Sequence, residues 1–332
     1  MVKSVFASNN PAKIDYVYGA GRKARVGELT DLYPVTITED NFEAHRAKLQ
    51  EVEVVFSTWG LTQALAIKLA ELPSMKAVFY GAGSVQGFAR PLLERDIVVM
   101  SAWAANAVPV AQFTLAQMLL GLKCYHLSMR ERHAPATQGH WLDIQPPGIF
   151  NETVGLLGCG MIGSLVAEYL KPYNLRVLAY DLHWPEGKAE SLGVKPADPT
   201  TIFRESFVVS NHLPNLPATV KTLHGGLFET LRPNATFINT GRGATVNEAD
   251  LLRVMRGRPD LTALLDVTHP EPPPPGSPLY STPNIYLTPH TAGAIGHEVV
   301  RMADYTLEAF AAYERGNPVP WQVTSPMLET MA

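Results

Sequence analysis

The sequence predicts an α/β protein built from two doubly wound parallel sheets, and three observations carry that prediction. The chain has 332 residues, beyond the size at which a single hydrophobic core keeps growing. Over the first hundred residues, short β-rich runs alternate with stretches of helical period, which argues for parallel strands joined by helical crossovers. The same alternation restarts at Thr153, after a long apolar stretch. Hydrophobic residues at 46% and charged residues at 17% suit a chain that buries well-formed cores rather than a disordered one.

In the first unit, Ser4–Ala7, Val35–Thr38, Val54–Ser57, Ala77–Tyr80 and Ile97–Met100 are rich in β-branched and aromatic residues and read as strands. From Val108 to about Arg132 apolar residues keep a helical spacing, with Gly121 the one strong breaker, so this segment reads as a helix linking two domains. Strands of the second unit are expected near Thr153–Leu157, Arg176–Tyr180, Phe207–His212, Thr236–Asn239, Leu261–Val267 and Ile285–Leu287. Asn247 is a plausible N-cap before EADLLRVMRG, with Gly257 as its stop. The prolines Pro270 and Pro272 to Pro275 read as a rigid loop between two strands rather than a polyproline ligand. A last helical pattern, about Gly296 to Arg315, follows the final strand and can pack back on the first unit.

Composition also excludes function classes. The net charge is −4 and the basic residues are scattered, so no stripe could follow a phosphate backbone and no nucleic-acid partner is expected. The two cysteines, Cys124 and Cys159, lack the spacing of a zinc site or disulfide framework, so no metal is expected and a reducing cytoplasm fits. MVKSVFASNN lacks the apolar core of a signal peptide, and Gln112, Thr114 and Gln117 interrupt the most apolar run, so neither export nor a membrane span is expected.

The most informative segment is TVGLLGCGMIGSLVAEYLKPYNLRVLAYD, residues 153–181. Gly158, Gly160 and Gly163 fall where a buried strand meets a helix. The first permits the tight turn, the second lets backbone approach a pyrophosphate, and the third lets helix and sheet pack closely. Ile162, Leu165, Val166, Tyr169 and Leu170 give that helix one apolar face, leaving its N-terminal amides free to meet phosphates. Pro172 ends the helix. Asp181, at the end of the next strand, can accept hydrogen bonds from the adenosine ribose hydroxyls and would repel a 2′-phosphate, which favours NAD over NADP. Cys159 within the turn reads as a small buried residue rather than a redox thiol.

Three polar residues follow later strands: Arg242 in INTGRGATV, Glu271 in LLDVTHPEPP and His290 in YLTPHTAG. Taken singly, they are a surface cation, a loop carboxylate and a core histidine. In a parallel sheet, however, the carboxyl ends of the strands share one edge, where ligands bind. Their joint placement and order resemble the D-isomer-specific 2-hydroxyacid dehydrogenase family, whose members include glyoxylate/hydroxypyruvate reductases, D-lactate dehydrogenases, phosphoglycerate dehydrogenases and formate dehydrogenases. The resemblance is firm from Asn106 to Ala294 and thin over the first 50 residues.

That resemblance implies a Rossmann NAD-binding domain, residues 107–292, inserted into a flavodoxin-like substrate domain of residues 1–106 and 293–332. It implies hydride transfer between NAD and a small D-2-hydroxy acid or its 2-keto acid, glyoxylate/hydroxypyruvate reductase-like, with reduction the cellular direction. A side chain that titrates near neutrality must hold the substrate proton, which points to His290 as acid/base. Glu271 would fix its tautomer and favour the imidazolium, and Arg242 would present a fork of donors to carboxylate and carbonyl oxygens. Cofactor contacts carried over from the family are Met161, Ile162, His212, Leu213, Pro214, Thr240, Asp266 and Gly293, with Asp266 at the nicotinamide carboxamide. The loop Gly81, Ala82, Gly83, Ser84 would meet the substrate carboxylate, with Asn106 beside it and Trp59 and Trp141 as weaker candidates. A homodimer through the cofactor domain and domain closure with hinges near Asn106 and Ala292 are implied likewise.

The sequence departs from the family at Val85 and Gln86, where aspartate is frequent, at Gly241 in place of alanine, and at Pro109 and Gln112 in place of serine and glutamate. These bear on the substrate, not on the triad. At 332 residues the added regulatory domain of long phosphoglycerate dehydrogenases is not expected. Two alternatives stay open: an NAD-sensing binding protein like the C-terminal-binding-protein corepressors, on the same fold, and a formate-dehydrogenase-like enzyme. Against the latter, Glu271 stands where that family carries glutamine.

Overall fold

In the computed structural model, which describes residues 1–134 and 144–331, the strands in chain order are Lys3–Ala7 (β1), Asp31–Leu32 (β2), Val54–Ser57 (β3), Ala77–Tyr80 (β4), Val98–Ser101 (β5), Thr153–Leu157 (β6), Arg176–Tyr180 (β7), Lys195–Pro196 (β8), Val208–Asn211 (β9), Thr236–Asn239 (β10), Thr262–Leu265 (β11), Ile285–Leu287 (β12) and Gln322–Val323 (β13). They form two sheets. One has the order β13-β5-β4-β3-β1-β2 and the other β12-β11-β10-β9-β6-β7-β8. The first contains the 2-1-3-4-5 order of a flavodoxin-like sheet; in the second the order reverses between β6 and β9, as in a Rossmann sheet. Trp141 lies outside the described residues.

Two compact units contain these sheets: residues 1–106 with 294–332, and residues 107–293. In the first, Phe56 and Phe79 pack their rings against Phe310, at 5.2 and 5.5 Å between centroids. Phe310 lies on the Val300–Glu314 helix, so the end of the chain completes the core that the first hundred residues begin. The second unit buries apolar residues on both faces of its sheet. Phe203, Phe228 and Phe237 cover one face, and Met118, Leu156 and Val166 belong to the other. Burial on both sides is why these strands read as continuous apolar runs rather than alternating ones.

The structure corrects two expectations. Val35–Thr38 is not a strand: β2 pairs with β1 at Asp31–Leu32, and only Ile37 bridges Ala7 afterwards. Pro34 lies between these contacts and has no N–H to give the ladder. Beyond the expected parallel strands, β13 adds an antiparallel edge to the first sheet beside β5. The segment from Val108 to Arg132 is not one helix either. It begins earlier, as Trp103–Gly121, and breaks before Tyr125–His133, the two parts bent by 57°. Cys124 takes a left-handed φ of 48° at the break. Gly121 brings the first helix onto the sheet, since a Cβ there would lie 3.1 Å from Val208 Cγ2. Among the described residues no single helix is long and apolar enough to cross a membrane.

Candidate active site

The glycine turn joins β6 to the Met161–Leu170 helix. Gly158 has φ +90°, and a Cβ on it would lie 2.9 Å from the His212 carbonyl. A Cβ on Gly163 would fall 2.0 Å from Gly158 O, so the helix can approach the turn only without that side chain. Gly160, the N-cap, has nothing within 4 Å of its Cβ position and no side chain caps the helix. Its first N–H groups therefore have no side-chain cap, which leaves them available to an anion such as a phosphate. Met161 begins the helix half-exposed, and Ile162 packs against the core beneath.

Asp181 follows β7, and its carboxylate accepts from Cys159 N at 2.5 Å and His183 N at 2.9 Å. Lys188 Nζ donates to Cys159 O at 2.5 Å. Burial, with the Asp181 charge nearby, pushes the Cys159 thiol up to about 12, so it is an inert filler of the turn. Beside Asp181 a cavity of about 280 Å³ opens at the ends of β6 and β7, lined by Leu157, Tyr180, Leu182, Asp198, Thr219 and Leu223. Its apolar lining with a few polar groups suits the flat base of a nucleotide. Leu213, which the sequence reading named as a cofactor contact, also lines it; the other lining residues were not singled out as contacts because strand ends and separate crossovers supply them.

Beyond β9 and β10 lies a line of hydrogen bonds. Thr114 Oγ1 meets Thr240 Oγ1 at 3.0 Å, Thr240 Oγ1 meets His212 Nδ1 at 3.4 Å, and His212 Nε2 meets Ser210 Oγ at 3.0 Å. Burial holds His212 down to about 3, so its ring is neutral at ordinary pH. Leu213 is buried and Pro214 half-buried next to it. Gly241 packs against this segment, its Cβ position 3.1 Å from both Asn211 O and Leu213 O.

The carboxylate of Asp266, past the end of β11, builds the turn that carries the histidine. It accepts from Thr288 Oγ1 at 2.6 Å, Thr291 N at 2.8 Å and Ala292 N at 3.0 Å, and its backbone oxygen accepts from His290 N at 3.0 Å. A fourth, longer bond comes from Thr291 Oγ1 at 3.5 Å, so Oδ1 is fully engaged and any further donor must meet Oδ2. His290 sits on this turn at φ 54°, a left-handed conformation that a β-carbon disfavours and the Asp266 bonds enforce. Its Nδ1 lies 2.6 Å from Glu271 Oε1, both side chains reaching solvent. Glu271 belongs to the proline loop, which is pinned by His269 N to Glu248 Oε1 at 2.7 Å and Tyr280 OH to Pro273 O at 3.0 Å. Arg242 anchors one nitrogen on Gly241 O at 2.8 Å. Burial lowers its pKa and the Glu271 charge opposes that, which places cation and carboxylate in one electrostatic neighbourhood. Gly293 lies half-buried just after this turn.

In the other unit, Ser101 Oγ donates to Ala82 O at 2.9 Å and Gly83 O at 2.5 Å, fixing the loop after β4. Ser84 is exposed there. Asn106 Oδ1 accepts from Ala294 N at 2.9 Å, while its Nδ2 lies 3.6 Å from the Cβ position of Gly83. Two departures from the family have structural duties: Val85 is buried in the core, and Gln86 Nε2 donates to Leu328 O and Met331 O at 2.7 and 2.8 Å. Pro109 stands inside the Trp103–Gly121 helix and Gln112 on its exposed side.

Comparison with known proteins accounts for this arrangement. Residues 119–292 match the model of the D-isomer specific 2-hydroxyacid dehydrogenase NAD binding domain. The D-3-phosphoglycerate dehydrogenase of Archaeoglobus fulgidus is 30% identical over 238 residues, covering 71% of this chain and 44% of that protein; the chain thus spans less than half of that relative's length. Among solved structures, the NAD-complexed D-isomer specific 2-hydroxyacid dehydrogenase of Lactobacillus delbrueckii ssp. bulgaricus aligns with a TM-score of 0.78 at 21% identity, over 97% of this chain and 100% of that one. The NADPH-dependent glyoxylate/hydroxypyruvate reductase of Sinorhizobium meliloti aligns at 0.74 and 21% identity, over 100% and 99%. Both are likenesses of fold. The chain belongs to the D-isomer specific 2-hydroxyacid dehydrogenase family of NAD(P)-binding oxidoreductases.

Proposed function

We propose that the protein interconverts a small D-2-hydroxy acid and its 2-keto acid with NAD, running as a reductase in the cell. The observation that carries this reading is the 2.6 Å pair of His290 Nδ1 and Glu271 Oε1, on the carboxyl edge of the sheet that bears the glycine turn. The pair leaves Nε2 of His290 to exchange a proton with the substrate oxygen, as base in oxidation and acid in reduction. Glu271 holds the ring in one tautomer and stabilises it when charged. Arg242, with one nitrogen anchored, turns its remaining donors to the carboxylate and carbonyl. A nicotinamide cofactor held at the glycine turn would supply the hydride as NADH in reduction and take it up as NAD in oxidation. Asp181 beside that turn favours ribose hydroxyls over a 2′-phosphate, hence NAD over NADP.

In the same reading, residues 107–292 are the cofactor domain, and residues 1–106 with 293–332 are a substrate domain whose Gly81 to Ser84 loop receives the acid's carboxylate. Tyr125, Met129 and Phe150, large apolar side chains exposed on the cofactor unit, support a homodimer there, which light scattering would read. The test is NADH oxidation across glyoxylate, hydroxypyruvate, pyruvate and phenylpyruvate, with NADPH in parallel. His290→Ala should lower kcat about a thousandfold while NADH still binds. Silence on every acid, with NADH bound, would sink the reading.

A further inference from the structure

Lys13, on the Pro11–Val17 helix after β1, carries a charge that the fold leaves unspent. Its ammonium lies 5.4 Å from the centre of the Tyr16 ring and 5.6 Å from that of Trp59, an arrangement in which ring faces attract a cation without neutralising it. Among the described residues no carboxylate comes within ion-pair distance of it, as also holds for Lys48, Lys68, Lys123, Lys188, Lys195 and Lys221; Lys13 differs from them in lying against two ring faces.

Its position is fixed by the loops around it. Strands β1, β3 and β4 are parallel neighbours, so the segments after them share one edge, about 10 Å across at the usual strand spacing. Asn9 N donates to Gly60 O at 2.9 Å, and Ser8 Oγ to Trp59 O at 2.8 Å. A Cβ on Gly81 would lie 3.2 Å from Val17 Cγ1, so the helix bearing Lys13 packs on the start of the Gly81 to Ser84 loop. Tyr16 OH accepts from Gly296 N at 2.7 Å, which holds the far ring in place.

We propose that Lys13, between Tyr16 and Trp59, is a specificity-determining cation that receives a second anionic group, carboxylate or phosphate, at the far end of the 2-keto acid. The inference rests on the activity proposed above, in which the acid's own carboxylate meets the Gly81 to Ser84 loop. An acid so bound is anchored at both ends, while the flanking rings cover its chain from water.

The experiment compares kcat/KM for 2-oxoglutarate and phosphohydroxypyruvate with that for glyoxylate and pyruvate, in the wild type, Lys13→Met and Lys13→Arg. The wild type should prefer one of the doubly anionic acids. In Lys13→Met the ratio of doubly anionic to singly anionic acid should fall about tenfold or more, the effect of losing one charge-assisted hydrogen bond, and the fall should lie in KM. Lys13→Arg should keep the ratio within about threefold. Whichever acid responds identifies the group as carboxylate or phosphate. A wild type that prefers singly anionic acids, or an unchanged ratio in a Lys13→Met protein of normal melting temperature, overturns the inference alone. Turnover of no acid overturns the proposed activity and the inference with it.

Discussion

His212 shows how a residue's duty depends on neighbours that are distant in sequence. Burial holds it near 3, against an ordinary 6.5, at a place where Ser210, close in sequence, and Thr240, distant in it, bond its ring. The unfolded chain therefore takes up a proton below about pH 6.5 that the folded chain refuses, so folded stability is fully present above that pH and falls as pH drops toward 3. The slope is at most about 1.4 kcal/mol per unit. Urea midpoints at pH 7, 5 and 4 should fall more steeply for the wild type than for His212→Asn; parallel slopes would show that His212 contributes nothing. Arg242, Glu271 and His290 could be picked from the sequence because each follows a recognisable strand end. Asp266 could be picked too, but its bonds to the turn bearing His290 could not, since they join residues 22 to 26 positions apart.

At the scale of elements, the strand, turn and helix from Thr153 to Leu170 separate two uses of glycine. A Cβ on Gly163 would meet the Gly158 carbonyl at 2.0 Å, whereas one on Gly160 meets nothing. Gly163→Ala should therefore lower the melting temperature by several degrees. Gly160→Ala should melt as the wild type does and yet bind NADH at least tenfold more weakly, because its methyl occupies the space a phosphate needs. Melting curves and NADH fluorescence titrations check both, and equal NADH affinity in Gly160→Ala would exclude the turn as the phosphate site. The turn was legible because glycine spacing is local. The break between Gly121 and Tyr125 was not fully legible: Gly121 marks a breaker, but the left-handed turn at Cys124 and the 57° bend leave no local signature.

On the scale of the whole molecule, the chain passes between its two units near residues 106 and 293, and the Asn106 side chain ties the first passage to the second by accepting from Ala294 N. Asn106→Ala leaves that N–H without its partner and removes the amide beside Gly83. It should cost about 1 kcal/mol in stability and lower kcat/KM for the acid about tenfold, with NADH affinity unchanged; a drop in NADH affinity instead would place its role elsewhere. By itself the sequence determined the two α/β units, the glycine turn with Asp181, and the residue types that follow the strands of the cofactor unit. These are local patterns of period, conformation and charge, readable from neighbours along the chain. Tertiary structure alone decided that β13 returns to the first sheet antiparallel to β5, that Gln86 serves the C-terminal segment, and that Lys13 lies between the Tyr16 and Trp59 rings without an ion-pair partner among the described residues. Each depends on which distant segments the packed cores bring together, and long-range burial, not local propensity, makes that choice.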